Sequence, residues 1–153
     1  FSGGQGEFTV EFEPSATALE AAGEGYVVAS LGVDSGYVPY TSYCTTKSYM
    51  EENAEIIQKF TNALQKGMEY VNTHTPAEIA AVIAPQFEET DIETIEKIVT
   101  RYHEQQTWKD NLVFEESSFD LLQNILSDAG ELSSRVPYNK LVDNSYAKEA
   151  IKE

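Results

Sequence analysis

Three stretches near the start of the chain have the hydrophobic pattern of β-strands. Apolar and polar residues alternate over residues 8–12, FTVEF, which is the period of a half-buried strand. Residues 26–31 lie in a continuous apolar run between Gly25 and Gly32, which is typical of a strand buried on both faces. Residues 37–46 are also rich in β-forming side chains. We predict that the first two stretches form strands of one sheet.

From Lys47 onward the apolar residues recur at helical spacing instead. Ile56, Ile57, Phe60 and Leu64 belong to a pattern that predicts one continuous helix over residues 49–72. A shorter helix is predicted earlier, over Ser15–Gly23, between the first two strand patterns. The C-terminal portion of the chain is therefore expected to be mostly helical.

Capping signals mark the later helices. The sequences TPAE and TDIE, at Thr75–Glu78 and Thr90–Glu93, predict two capping boxes, each of which opens a helix. Another helix is predicted to start at Ser117 or Ser118 and to stop at Gly130, and a short last helix is expected over residues 143–152.

The strand patterns and the helices together predict an α/β fold that is incomplete. Two or three buried strands cannot build a sheet that is covered on both faces, because parallel strands need neighbours. The chain also opens with Phe1 and without a Met. We therefore expect that it forms the last part of an α/β fold whose first part lies upstream.

Composition narrows the possible partners. The chain has 153 residues, and its 10 basic and 26 acidic residues give a formal net charge of −16. Nucleic acid is an improbable partner, because binding to phosphates needs clustered Lys and Arg. The single cysteine, Cys44, excludes an internal disulfide and a cysteine-based zinc cluster, and its thiol is expected to be buried and inert.

No catalytic constellation can be identified in the sequence. His74 and His103 are expected to be structural or exposed to solvent, and no zinc-protease, phosphate-loop or EF-hand motif occurs. Pairs of adjacent glutamates near helix starts are explained by solvation and by the helix dipole. We therefore predict no catalytic residue, no metal site and no cofactor.

Two groups of residues have both a structural and a functional interpretation. Glu13 and Pro14 follow the first strand pattern, at the end of a strand where α/β folds collect their ligands, but a plain strand-to-helix corner explains them equally well. Tyr37, Tyr40 and Tyr43 are spaced three residues apart, and they either pack in the core or at a sheet edge, or line a cleft.

Several of these stretches resemble one family in their order and spacing. GEFTVEFEPSA, GYVVASLG, SGYVPYTSY and KSYMEENAEIIQKFTNALQKGMEYV are similar to the C-terminal half of the substrate-binding protein of a bacterial ABC importer. The most similar group serves nitrate, taurine, aliphatic sulfonates and pyrimidine precursors of thiamine. TPAEIAAVIAPQF and ETIEKIVTRYHEQQTWK resemble the end of the same proteins.

The resemblance implies a two-lobed, type II periplasmic-binding fold with a ligand cleft between α/β lobes. Residues 1–35 would then form the end of lobe two and the crossover, and residues 36–153 the C-terminal part of lobe one. The implied partners are a small polar solute, the membrane permease of the importer and the missing N-terminal half of the same protein. The implied location is extracytoplasmic, in the periplasm or at the cell surface on a lipid anchor.

The same resemblance implies a ligand site. Glu13 matches the acid that the family's acid–proline corner delivers to the cleft, where its carboxylate would accept hydrogen bonds from an amine or an aminopyrimidine. Phe12, Pro14, Tyr40 and Thr41 are the other expected ligand-binding residues. Two alternatives remain: a self-contained α/β interaction domain, and an enzyme of the pyrimidine-synthase type, whose Cys- and His-containing motif is not seen in this sequence.

Overall fold

A computed structural model describes residues 1–152, and the regular structure within this range is helical. The helices are α1 Ser15–Ala21, α2 Leu31–Asp34, α3 Lys47–Glu52, α4 Ala54–Thr73, α5 Pro76–Ile83, α6 Ile92–Glu104, α7 Glu116–Asp128, α8 Tyr138–Leu141 and α9 Ser145–Ala150, with a 3₁₀ turn at Ala84–Gln86. None of the helices in residues 1–152 is long and apolar enough to cross a membrane.

The strand predictions are wrong for the chain in this structure. Residues 8–12, 26–30 and 37–46 have no regular secondary structure, and Leu31 begins α2. A strand satisfies its backbone N–H and C=O groups only through a neighbouring strand, and within residues 1–152 the three stretches form no backbone ladder with one another. The α/β class predicted from the pattern is therefore not confirmed, while the helical character of the C-terminal portion is.

The long helix predicted over residues 49–72 is present but interrupted. It is divided into α3 and α4 at Asn53, whose φ of −129° and ψ of 34° leave the helical region. The Asn53 side-chain amide donates to the carbonyl of Tyr49 at 3.1 Å. The backbone N–H of Asn53 donates to the same carbonyl at 2.9 Å, so the carbonyl of Tyr49 accepts two hydrogen bonds from Asn53 at the break.

The capping signals were partly correct. Thr75 and Glu78 form the predicted capping box at the start of α5. At α6 the cap lies one residue later than predicted, because Asp91 accepts a hydrogen bond from the N–H of Thr94 at 2.9 Å. An acidic side chain placed there also interacts favourably with the helix dipole.

The ends of the last helices also shift slightly. Helix α7 begins at Glu116, before the predicted Ser117 or Ser118, and has no side-chain cap, whereas Gly130 follows its end with the expected positive φ of 76°. Where one helix was predicted over residues 143–152, α9 covers Ser145–Ala150. The four-residue α8 was not predicted.

The chain divides into two compact units. The first contains Phe1–Asp34 and Thr73–Trp108, and its core is built where α6 packs on α5 and α1. The buried residues of this unit are Thr17, Ile79, Ala80, Ile95 and Val99.

The second unit contains Ser35–Asn72 and residues 109–152. Its interior is a mixture of apolar and polar side chains. Gln65 and Gln123 are buried, and both bond to backbone: the N–H of Leu112 donates to Gln65 at 3.3 Å, and that of Val136 donates to Gln123 at 2.7 Å. The buried apolar residues of this unit are Phe119, Ala147 and Ala150. The assignment of residues 1–35 and 36–153 to two lobes stays a prediction.

Candidate functional site

Glu13 lies at the corner between residues 8–12 and α1, and its carboxylate points into the first unit. The Glu13–Pro14 peptide bond is cis. The Glu13 side chain is only 7% exposed. One carboxylate oxygen accepts a hydrogen bond from the N–H of Thr17 at 3.0 Å, and the other pairs with the guanidinium of Arg101. The carboxylate therefore has internal partners on both oxygens.

Arg101 joins α6 to α1 through three side chains. From the last turn of α6, its Nη1 donates to Glu13 and to the hydroxyl of Thr17 at 3.1 Å, and its Nη2 donates to Glu20. We call these four residues, Glu13, Thr17, Glu20 and Arg101, the Arg101 cluster. A guanidinium suits this role because its planar fork can bond several oxygens at fixed angles.

Glu20 extends the cluster to the second strand-like stretch. Its other carboxylate oxygen accepts a hydrogen bond from the N–H of Val27 at 2.9 Å. This backbone bond, followed by the hydrogen bond from Arg101, lowers the pKa of Glu20 below its ordinary value. The carboxylate of Glu20 is therefore ionised in the folded protein at neutral pH.

The cluster carries one excess negative charge. Burial acts to lower the pKa of Arg101, but the hydrogen bonds to Glu20 and Glu13 outweigh burial and raise it. Burial, and then the nearby charge of Glu13, raise the pKa of Tyr102. With Arg101 permanently charged, two carboxylates share one guanidinium, and the local field favours a positively charged or hydrogen-donating group.

An open depression of about 530 Å³ lies against one side of the cluster, and acidic side chains dominate its lining. It exposes Glu20 and Arg101, whereas Glu13 does not line it. The other lining residues are Glu93, Glu96, Lys97, Thr100 and Glu104. Of the four cluster residues, a molecule in this depression would therefore contact Glu20 and Arg101.

The predicted ligand-binding residues are divided between the two units. Phe12 and Pro14 adjoin it in sequence and are exposed, and the Phe12 carbonyl accepts a hydrogen bond from Ala16 at 3.1 Å. Tyr40 and Thr41 are exposed in the second unit. The first unit thus holds three of the five predicted residues, and the second unit holds two.

The other residues considered in the sequence have local roles. Tyr43 packs edge-on against Phe60, with ring centroids 5.1 Å apart, and Lys109 lies 5.6 Å from the ring centre of Tyr37. Cys44 is exposed, so the prediction of a buried thiol is wrong: residues 37–46 form no strand and therefore have no sheet to bury it. His103 is half-buried against Trp108, in line with the structural role predicted for it.

Sequence reasoning missed Arg101, Thr17 and Glu20. A partial signal existed, because positions 13, 17 and 20 share one face of a helix that starts near Pro14. Arg101 had no such signal, because it lies 88 residues from Glu13 in the chain. Residues 1–152 contain no group of His, Cys, Asp and Glu side chains that could hold a metal ion.

Residues 9–79, just under half of the chain, match the family described as "NMT1/THI5 like". This match includes the three strand-like stretches except for Phe8, the acid–proline corner and the first half of α5. The resemblance to ABC-type substrate-binding proteins of this group is therefore confirmed.

A curated relative extends the similarity to the whole chain. The chain is 37% identical over 153 residues to "Putative binding protein YtlA" of Bacillus subtilis (strain 168), which is 100% of this chain and 46% of that protein. The chain thus spans about half the length of the relative that it matches. No solved structure matches the chain.

Proposed function

We propose that the protein containing this chain is the substrate-binding component of an ABC importer. Similarity to a protein named as a binding protein, over every residue of this chain, is the observation that carries the proposal. In this proposal the protein works outside the cytoplasm, where it captures a small polar solute in a cleft between two lobes and delivers it to the membrane permease. A lipid anchor is part of the same hypothesis.

The Arg101 cluster supports a ligand that carries a hydrogen-bond donor. Its excess negative charge, and the four glutamates that line the adjoining depression against one Lys and one Arg, favour an amine or an aminopyrimidine. The same charges oppose nitrate and simple sulfonates. Among the solutes implied by the family, the pyrimidine precursor of thiamine fits this environment best, followed by taurine through its ammonium group.

Glu13 can bind such a ligand only if its carboxylate bonds to the ligand and to its internal partners at the same time. A carboxylate offers about four lone-pair positions, and the N–H of Thr17 and the guanidinium of Arg101 occupy two of them. We infer that a donor group on the ligand takes a remaining position on Glu13 or bonds Glu20 from the depression. In either case Arg101 bonds both carboxylates and holds them in place.

Binding to the natural gene product tests this function. Titration calorimetry with an aminopyrimidine, taurine, an alkanesulfonate and nitrate is expected to give the tightest binding for the aminopyrimidine. Glu13→Gln removes the charge but keeps the size, and loss of a charge-assisted hydrogen bond costs about 1.5–3 kcal/mol, or roughly ten- to a hundredfold in affinity.

Glu11→Gln is the matched control, because Glu11 is exposed two residues away and its carboxylate accepts a hydrogen bond from the hydroxyl of Thr9. It should bind like the parent. If Glu13→Gln lowers the melting temperature but leaves affinity unchanged, Glu13 is a structural partner of Arg101 and the ligand site lies elsewhere. If none of the four solutes binds, the assignment to this group of solutes is wrong.

The enzyme alternative has less support than binding. The relative is named as a binding protein, and the chain lacks the Cys- and His-containing motif of the pyrimidine synthases. Cys44 and His74 lie in different units, and Cys44 bonds only weakly to Ser42, with the Sγ and Oγ atoms 3.7 Å apart. A binding role is therefore the function that we propose.

A further inference from the structure

Glu13 and Glu20 share a single guanidinium, and each carboxylate bonds a different nitrogen of it. The Nη1 of Arg101 donates to one oxygen of Glu13, and its Nη2 donates to one oxygen of Glu20. An arginine beside a single carboxylate frequently forms two parallel bonds, one to each oxygen. Glu20 therefore occupies the donor with which Arg101 would otherwise complete a two-bond pair with Glu13.

The carboxylate of Glu20 is held on its other side by the backbone. Its second oxygen accepts a hydrogen bond from the N–H of Val27 at 2.9 Å, and Glu20 itself lies in the last turn of α1. With one oxygen on Val27 and the other on Arg101, this side chain has little freedom to turn away. The direction of the Nη2 group is therefore set by Glu20.

Glu13 has few acceptor positions left for a further partner. Its side chain is 7% exposed, and its two oxygens already bond the N–H of Thr17 and the Nη1 of Arg101. Of the roughly four lone-pair positions on a carboxylate, two are therefore in use. A second bond from Arg101 would take a third position, and a solute would then have at most one position on a nearly buried side chain.

We propose that Glu20 is a positioning residue for the ligand site. It keeps the Nη2 group of Arg101 away from Glu13, so that Glu13 retains an acceptor position for an N–H donor on the solute. This role rests on the proposed function, in which the solute bonds Glu13. It assigns Glu20 an action through Arg101 in place of a direct contact with the solute.

An ordinary ion pair between Glu20 and Arg101 would have a different consequence. Its removal would weaken the attachment of α1 to α6 but would leave the acceptor positions of Glu13 unchanged. In this cluster, however, Glu13 is the one carboxylate that remains when Glu20 is removed, so the Nη2 group gains most by turning to it. Loss of Glu20 should therefore block Glu13.

Titration calorimetry on the natural gene product, with 4-aminopyrimidine as the probe, tests this role. Glu20→Met keeps the length of the side chain but removes both acceptor oxygens. It should lower the affinity about tenfold or more, the loss that accompanies a missing charge-assisted hydrogen bond. Glu96→Met is the matched control, because Glu96 is exposed, lines the same depression and carries the same charge. It should lower the affinity by a clearly smaller factor.

Arg101→Lys supplies a readout that a purely structural role would not change. A lysine ammonium keeps the charge but lacks the planar fork, so it cannot form the two-bond pair with Glu13. When Glu20→Met is combined with Arg101→Lys, the affinity should therefore be higher than in Glu20→Met alone. A second substitution that removes a stabilising bond should not restore binding if Glu20 only supports the fold.

A measurement without ligand separates this role from the proposed function. Glu13→Gln should lower the melting temperature of Glu20→Met by more than it lowers that of the parent, because the pair of Arg101 and Glu13 is stronger once Glu20 is absent. If the parent does not bind 4-aminopyrimidine, the proposed solute class fails, and this comparison of melting temperatures decides the role of Glu20 by itself.

Three results would overturn the role of Glu20. Equal losses of affinity in Glu20→Met and Glu96→Met would mean that Glu20 is only one of the charges of the depression. A loss in Glu20→Met that Arg101→Lys does not reduce would mean that Glu20 contacts the solute directly. The third is a melting-temperature loss from Glu13→Gln that is equal or smaller in the Glu20→Met background.

Discussion

Two parts of the first unit differ in whether they are packed. One part is the helix pair α5 and α6, and the other is the two stretches 8–12 and 26–30. The helices bond their own backbones, begin at side-chain caps on Thr75 and Asp91, and bury one apolar face against each other. The two stretches have at least as apolar a sequence, yet they remain irregular and exposed.

Local and non-local structure therefore need different amounts of chain. A helix is complete once its own residues and one packing partner are present. A strand needs a neighbour for every backbone group, and that neighbour can lie far away in the polypeptide. The Arg101 cluster is intermediate between these cases. Arg101 on α6 bonds Glu13, which follows residues 8–12, and Glu20 on α1, which in turn bonds Val27 in residues 26–30.

The largest expected effect is the loss of stability when a buried side chain of α6 is shortened. Ile95 is 3% exposed in α6, and Ile95→Ala should reduce the free energy of unfolding of the 153-residue chain by about 3 kcal/mol through lost burial and a cavity. Val10→Ala in the same chain should change it by about 0.5 kcal/mol or less, because Val10 is exposed there. Urea unfolding followed by circular dichroism measures both. Equal losses would contradict the division between a packed and an uncovered part.

Removal of the guanidinium should have the next largest effect. Arg101→Met keeps a long side chain but leaves the nearly buried carboxylate of Glu13 with one partner, which should cost about 2–3 kcal/mol of unfolding free energy. Arg135→Met is the matched control, since Arg135 pairs with Asp120 on an exposed surface and such pairs contribute at most about 1 kcal/mol. If the two variants lose the same stability, the Arg101 cluster is no more than a surface ion pair.

The smallest effect concerns pH. The pKa of Glu20 is lowered in the folded protein, so this carboxylate contributes stability above its ordinary pKa of 4.5, and the contribution is lost as pH falls through the lowered value. Glu20→Gln should therefore be less stable than the parent at neutral pH, and the gap should narrow in acid. Urea unfolding across this pH range measures the gap. A gap that stays constant would mean that the ionisation of Glu20 does not support the fold.

The positions of the main helices and the resemblance to one group of binding proteins could be read from the sequence. Periodic apolar residues and short-range caps placed α1, α4, α5, α6 and α7 to within a few residues, since each helix is encoded by contacts three or four positions apart. The order of the strand-like stretches and the acid–proline corner indicated the group of binding proteins that the comparisons then confirmed. The break at Asn53 was missed because the apolar residues keep their helical spacing across it.

The surroundings of Glu13, in contrast, depend on contacts between residues that are far apart in the sequence. The sequence identified this carboxylate as a candidate, but its partner Arg101 comes from a helix 88 residues away, and no local pattern encodes a contact at that distance. The tertiary structure also decided that residues 8–12 and 26–30 stay irregular here. Their sequence specifies a strand, but a strand forms only where a second strand supplies the other half of each hydrogen bond, and residues 1–152 do not contain that second strand.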